Sequence, residues 1–261
     1  MAARYDETAD RPPTAATFWG VKVTTYASEF YDAFAGGSRA SAGEVVPLVL
    51  DLVGPVRSVL DVGCGIGTWL AAFAEAGVAD LVGVDGDYVD RSQLLVPPDA
   101  FVPHDLGEPL HLGRTFDLVV SLEVAEHVSA DRAATFVTSL CDHAGEAVLF
   151  SAAPPGQGGK HHVNEQWPSY WIPRFAERGF QAFDVVRPRV WENPRVEWWY
   201  RQNTLLFARG GIAERIAGAD TVRLVDVVHP AGARQTWRDL MWHVMPEPMV
   251  VAVRRARRLG R

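Results

Sequence analysis

Lysine is nearly missing from this 261-residue chain: Lys22 and Lys160 stand alone, and arginine supplies the rest of the 25 basic residues. Against 32 acidic residues this gives a formal net charge of −7. A chain with that balance lacks the cationic field that neutralises phosphates, which argues against a nucleic-acid partner. The arginine bias itself fits a GC-rich bacterial coding sequence rather than a chemical role. Cysteine is equally scarce. Cys64 and Cys141 are the only two, too few for a disulfide framework and suited to a reducing compartment. No apolar run reaches 18 residues, and Met1–Glu7 lacks the apolar stretch of a signal peptide, so a cytoplasmic protein with no membrane partner is expected. Internal repeats and long low-complexity tracts are absent as well. What the chain does have is apolar material, 48% of its residues, enough for one full core with appendages.

The most informative stretch is Val59-Leu-Asp-Val-Gly-Cys-Gly-Ile-Gly-Thr-Trp69. An apolar run ending in Asp61 meets Gly63, Gly65 and Gly67 just before a helical pattern begins. Alternating glycines let bare backbone approach a ligand, because no Cβ intrudes and positive φ costs little. The dinucleotide fingerprint spaces its glycines Gly-x-Gly-x-x-Gly, which would put its third glycine where Thr68 stands. Asp61 would also repel a pyrophosphate, whereas it can balance a cationic ligand.

Further strands end in polar groups. Asp80–Asp85 reads as a second buried strand whose terminal acid has the spacing of a ribose-gripping carboxylate. Ala100–Asp105 and Thr115–Glu123 read as a third and fourth strand, the latter followed by Val124-Ala-Glu-His-Val128. In open α/β sheets ligands bind outside the carboxyl ends of the strands, so these groups are expected to converge on one rim. Each acid also has a structural alternative: a helix cap for Asp85, a turn acid for Asp105, a helix start for Glu123 and Glu126.

With these pieces in place, residues 43–209 resemble the class I S-adenosylmethionine-dependent methyltransferases. The resemblance rests on Asp61-Val-Gly-Cys-Gly-Ile-Gly67, Asp85, Asp105–Leu106 and Ser121-Leu-Glu-Val-Ala-Glu-His127. It implies a doubly wound, mostly parallel seven-stranded sheet closed by an antiparallel hairpin, and S-adenosylmethionine as cofactor. It also implies that Asp61, Gly63, Gly65 and Gly67 pack against the methionine part, that Asp85 binds the ribose hydroxyls, and that Asp105 and the Leu106 N–H meet the adenine. Glu123 would sit beside the methionine end. Where the family often has a bulky apolar residue under the adenine this chain has Gly86, and Tyr88 or Leu106 would supply that face.

The substrate side falls in Ser151-Ala-Ala-Pro-Pro-Gly-Gln-Gly-Gly-Lys160 and His161-His-Val-Asn-Glu-Gln-Trp-Pro-Ser-Tyr-Trp171, a Gly- and Pro-rich loop after a fifth apolar strand. It resembles a bacterial methyltransferase subgroup whose Gly-Gln-Gly-Gly loop leads to a His-Val-Asn-Glu-Gln-Trp segment, many members of which lie in sugar, polysaccharide or natural-product pathways. A hydroxyl acceptor needs a base, and histidine titrates near neutral pH. His162 ranks first and His127 second, each with a structural hydrogen-bonding role as the alternative. Tyr26, His161, Asn164, Gln166, Trp167 and Tyr170 are the substrate-contact candidates. Trp167, Tyr170 and Trp171 form a substrate wall or the buried face of a helix begun by Pro168. No metal is expected, since adjacent His161 and His162 point apart and no acid joins them at ligand spacing.

Three parts follow along the chain: a leader and helical lid over 1–42, the methyltransferase domain over 43–209, and an appendage over 210–261 ending in the solvated basic tail Arg254–Arg261. Gly179–Val186 and Glu197–Ala208 are read as the closing hairpin. The expected activity is methylation of a small-molecule hydroxyl, with an amine acceptor or a non-methylating cofactor-binding protein as the alternatives. A homodimer is a possible assembly.

Overall fold

The computed structural model describes residues 17–18, 21–22 and 28–217, with side chains from residue 37 onward. Two short strands, β1 (Thr17–Phe18) and β2 (Val21–Lys22), pair antiparallel ahead of the long helix α1 (Ser28–Val53). The helical reading of the aromatic leader therefore holds from Ser28 onward and not at Phe18, where the backbone is extended. Tyr26 and the tail after Ala217 lie outside the described residues. Along α1, Ala42, Val45, Val46, Val49 and Val53 are buried at three- and four-residue steps, an apolar stripe that joins the core. The helix runs unbroken through residues 42 and 43, where the sequence suggested a boundary.

After α1 the chain alternates: β3 (Ser58–Val62), α2 (Thr68–Glu75), β4 (Asp80–Asp85), β5 (Phe101–Pro103), β6 (Phe116–Leu122), α3 (Ala133–His143), β7 (Ala144–Ser151) and α4 (Pro168–Ala176). Then come β8 (Gln181–Phe183), α5 (Arg187–Val190), α6 (Trp198–Asn203), β9 (Leu205–Ala208) and α7 (Gly210–Ala217). The seven-stranded sheet has the order β5-β4-β3-β6-β7-β9-β8. Strands β3 to β7 are parallel, whereas β9 runs antiparallel to both β7 and β8. This is the doubly wound, mostly parallel sheet expected.

The strands separate two cores because alternate residues face opposite sides. Val59, Leu118, Val120, Leu149 and Leu206 face α1, α2 and the α5–α7 side. Leu60, Val119, Val148, Phe150 and Phe207 face α3 and α4, where Phe136, Leu140, Trp171 and Phe175 fill the gap. Strand order reverses between β3 and β6, the switch point at which open α/β sheets leave a crevice beyond the strand ends.

The closing pair is shorter than its sequence pattern. Only Leu205–Ala208 of the second arm is strand, and Trp198–Asn203 is helical. The aromatic run reads as strand by propensity, but Tyr200 is buried edge-on against Trp69 at 5.1 Å and its hydroxyl meets Ser38 Oγ at 3.1 Å. Tertiary packing overrides the local preference. Helix α7 likewise packs on the sheet through Ala213 and Ile216, so the core continues past residue 209. Among the described residues no helix is long and apolar enough to cross a membrane.

Candidate active site

Strand β3 delivers Asp61 to the crevice and then turns at once. Gly63 N–H and Cys64 N–H both donate to Val84 O, at 2.7 and 3.2 Å, which holds the turn against β4. Gly63, Gly65 and Gly67 all have positive φ, at 87°, 54° and 86°. Their surroundings differ. A Cβ on Gly63 would fall 2.3 Å from Val124 Cγ2, whereas one on Gly65 meets nothing within 4 Å. Gly63 is therefore needed for packing, and Gly65 faces open space.

Asp85, at the end of β4 and 4% exposed, gathers the turn from the other side. Its Oδ2 accepts the Gly65 N–H at 2.7 Å, and its Oδ1 accepts the Gly86 N–H at 2.7 Å. The Tyr88 hydroxyl also donates to Oδ1. Burial raises the Asp85 pKa against the pull of these donors. Asp61 is pushed further, to about 8, by burial and then by the nearby Asp85 charge. Its Oδ2 is buried with no partner among the described residues. Asp61 is left poorly compensated beside a well-bonded Asp85, and this pair fits a site that receives positive charge or hydroxyl donors.

Asp105 follows β5 and is exposed, its Oδ1 accepting the Gly107 N–H at 2.9 Å, while Leu106 beside it is buried. The acid thus also serves the turn role that the sequence left open.

Beyond β6 the chain places Glu123 at φ 57°; Glu123 and His161 are the two positive-φ non-glycine residues among those described. Such strain gathers at functional sites when the surroundings enforce it. Here the Glu123 N–H donates to both Ser151 O and Ser151 Oγ at 3.0 Å. Its carboxylate accepts from Gln157 Nε2 at 2.7 Å and Asn203 Nδ2 at 2.9 Å. Asn203 Nδ2 is also 2.8 Å from Gln157 Oε1, which in turn receives Gln202 Nε2 at 3.2 Å. Burial still raises the Glu123 pKa. Gln157, Gln202 and Asn203 were not among the sequence candidates. Gln157 could have been found as the one polar side chain within Gly156–Gly159; Asn203 could not, because its placement depends on α6 being helical.

The loop after β7 folds back over the same rim. Val163 N–H and Asn164 N–H both donate to Glu126 O, at 2.9 and 3.0 Å, which brings His162 to His127. Their rings meet edge to face at 4.9 Å. Glu165 organises the loop: its carboxylate accepts the Gly156 and Gly158 N–H groups at 2.8 and 2.9 Å and pairs with His162 Nδ1 at 2.8 Å. His162 Nε2 then stands 3.9 Å from Glu126 Oε1. Glu126 is 1% exposed, and burial drives its carboxyl pKa well above the usual range. His127 Nδ1 lies 3.2 Å from His161 O. Burial and the neighbouring His162 lower the His127 pKa to about 4.

The remaining substrate candidates divide. His161 is exposed, whereas His162 is half-buried. Asn164 is buried, with Oδ1 accepting from Gln166 Nε2 at 3.1 Å, so both brace the loop. Trp167 precedes α4 and is half-buried. Trp171, one turn on, is core against Phe150 at 5.4 Å. Tyr170 is half-buried beneath the Arg174 guanidinium, 3.6 Å from the ring centroid. Of this aromatic group Trp171 is thus core, while Trp167 and Tyr170 keep part of their surface exposed.

A family model described as a methyltransferase domain matches residues 28–187, which span the glycine turn, both acids, Glu123 and the histidine loop. The chain belongs to that methyltransferase family. No curated protein matches it in sequence. Its fold is similar to Streptomyces venezuelae DesVI, at a TM-score of 0.54 and 16% identity over 72% of this chain and 100% of that one. The sugar N-methyltransferase KedS8 from a Streptoalloteichus species gives 0.55 and 17% over 77% and 99%. CalS10, an amino pentose methyltransferase from Micromonospora echinaspora, gives 0.52 and 14% over 72% and 99%.

The methyl donor of this methyltransferase is S-adenosylmethionine. The open face at Gly65 and the unpartnered Asp61 Oδ2 fit a bulky cationic group, and Asp85 fits its hydroxyls. When bound, the cofactor supplies an electrophilic methyl carbon on a sulfonium.

Proposed function

We propose that this methyltransferase acts on a hydroxyl of a small molecule, a sugar or natural product, brought to the rim formed by the β6 and β7 loops. The observation that carries this is the His162 ring, held at Nδ1 by Glu165 and packed on His127 beside the Glu123 cage. A hydroxyl is a poor nucleophile until its proton is taken, and a fixed imidazole with a carboxylate behind it suits that task. Glu165 orients the ring and stabilises the imidazolium that forms. Asp61, Asp85 and the glycine turn hold the donor, and Glu123 with Gln157 and Asn203 borders its reactive end. The loop and its aromatic residues exclude water and fix the acceptor in line, which is most of what methyl transfer demands of a protein. Two unpaired thiols and the arginine bias support a bacterial cytoplasmic setting.

An amine acceptor is the second reading, favoured by the names of KedS8 and CalS10, a sugar N-methyltransferase and an amino pentose methyltransferase. Incubation with S-adenosylmethionine and paired hydroxy and amino sugars, followed by product NMR, separates the two. An O-methyl product lost in His162→Ala supports the first reading. An N-methyl product that survives the substitution overturns it in favour of the second.

A further inference from the structure

One carboxylate oxygen of Glu126 and one ring nitrogen each of His127 and His162 lie within 4.8 Å of one another. They come from two segments: a 3-10 turn after β6 carries Glu126 and His127, and the loop after β7 carries His162. We infer that these three side chains form a binding site for a divalent cation of the zinc, cobalt or nickel class.

The geometry supports this in four ways. First, both imidazoles have an acceptor at Nδ1: the Glu165 carboxylate for His162 and the His161 carbonyl for His127. Histidine ligands to metals are oriented in this manner, with the second nitrogen left to donate its lone pair. Second, the Nε2 of His162 is directed toward Glu126 Oε1 at 3.9 Å, a pair that gains from a cation between them. Ligand atoms around a tetrahedral zinc stand about 3.3 Å apart, so a contraction of under about 1 Å forms that edge. Third, Glu126 is 1% exposed and its Oε2 has no hydrogen-bond partner among the described residues. Backbone N–H groups of Glu126 and Ala153 compensate the carboxylate in part, and a metal ion would supply the rest. Fourth, two imidazoles and one carboxylate are a donor set that favours zinc, cobalt or nickel over magnesium or calcium, which prefer all-oxygen shells.

Three protein ligands leave at least one position for water or an acceptor oxygen, the arrangement of a catalytic rather than a structural site. The inference goes beyond the methyl-transfer reading. With the ion bound, the cation would take over from His162 the task of activating the acceptor: it would draw electron density from the acceptor oxygen, whose proton would leave through water at the open coordination position.

The test uses the full-length protein saturated with S-adenosylhomocysteine, stripped with a chelator and titrated with Zn2+ by calorimetry and with Co2+ by visible absorption. Saturable one-to-one binding is expected. His127→Ala, His162→Ala and Glu126→Gln should each weaken Zn2+ by at least about 10-fold, and Glu165→Gln by roughly 10- to 100-fold through loss of orientation. His111→Ala, at an exposed histidine elsewhere, should change nothing. S-adenosylhomocysteine affinity in each sample certifies the fold and reports the methyltransferase reading separately. A protein that binds the cofactor product but shows no one-to-one metal binding overturns the inference, as does binding that survives the His127→Ala and His162→Ala substitutions together.

Discussion

Asp85 Oδ2 accepts the backbone N–H of Gly65 at 2.7 Å, so the acid proposed to hold the ribose also fixes the turn beside it. A carboxylate has about four lone-pair sites, and Gly65, Gly86 and Tyr88 already use three. The ligand's hydroxyls must share with, or displace, the Tyr88 hydroxyl. Asp85→Ala should weaken S-adenosylhomocysteine binding by about 1.5–3 kcal/mol, the scale of hydrogen bonds to a charged group. Tyr88→Phe should change it far less. Calorimetry on both variants decides the matter: equal losses would mean that the tyrosine, not the acid, grips the ligand.

The two glycines flanking Cys64 should respond differently to alanine. At Gly63 the new methyl collides with Val124 and the backbone is strained, so a loss of a few kcal/mol in stability is expected. At Gly65 the left-handed backbone alone costs roughly 1–2 kcal/mol, and the methyl projects into open space. Gly65→Ala should therefore remain folded, with a modest Tm decrease, and lose cofactor binding. Thermal melts with and without S-adenosylhomocysteine check this: a Gly65→Ala protein still strongly stabilised by the ligand would show that the open face is not the cofactor's.

Asp61 gives the ligand-free protein a pH-dependent weakness. Its carboxyl keeps its proton up to about 8 when folded, whereas the unfolded group ionises near its ordinary value of 3.8. Between those values the unfolded chain binds fewer protons, so stability falls as pH rises from about 4 to about 8. Asp61→Asn should flatten this slope and raise the apo Tm at pH 8 relative to wild type. Melting curves at pH 5 and pH 8 measure it, and parallel slopes in the two proteins would assign the pH dependence elsewhere.

His162→Ala should lower kcat by about 100-fold or more while leaving S-adenosylhomocysteine affinity nearly unchanged, because the ring contacts Glu165, His127 and Glu126 and not the glycine turn. Glu165→Gln should produce a smaller loss in kcat by freeing both the ring and the Gly156–Gly158 backbone. Steady-state and binding measurements on both proteins test the assignment. A drop in cofactor affinity matching the drop in kcat would move His162 to the donor site.

What could be read from the sequence was governed by short-range constraints. The glycine turn and the strand-end acids were legible because an apolar run, a backbone needing positive φ and a topology rule each limit the outcome locally. Trp198–Asn203 was not, since its aromatic residues favour strand and only the contacts of Tyr200 with Trp69 and Ser38 make it helix. The partner of His162 was missed for a related reason. His161 is its neighbour in sequence, but the loop is pinned to the Glu126 carbonyl, and this carries His162 across to His127 and Glu126, more than thirty positions earlier.

The two cysteines sit in opposite halves of this architecture, Cys64 in the glycine turn and Cys141 on α3, and both thiols are buried. Burial raises the Cys141 pKa to about 12 and holds Cys64 well above its ordinary value, so neither offers appreciable thiolate near neutral pH. Alkylation by a thiol reagent must then wait for the chain to open locally. The reaction rates at the two positions become separate clocks, one for breathing of the donor crevice and one for the helical layer behind β7. A ligand that closes the crevice should slow the first clock before it touches the second.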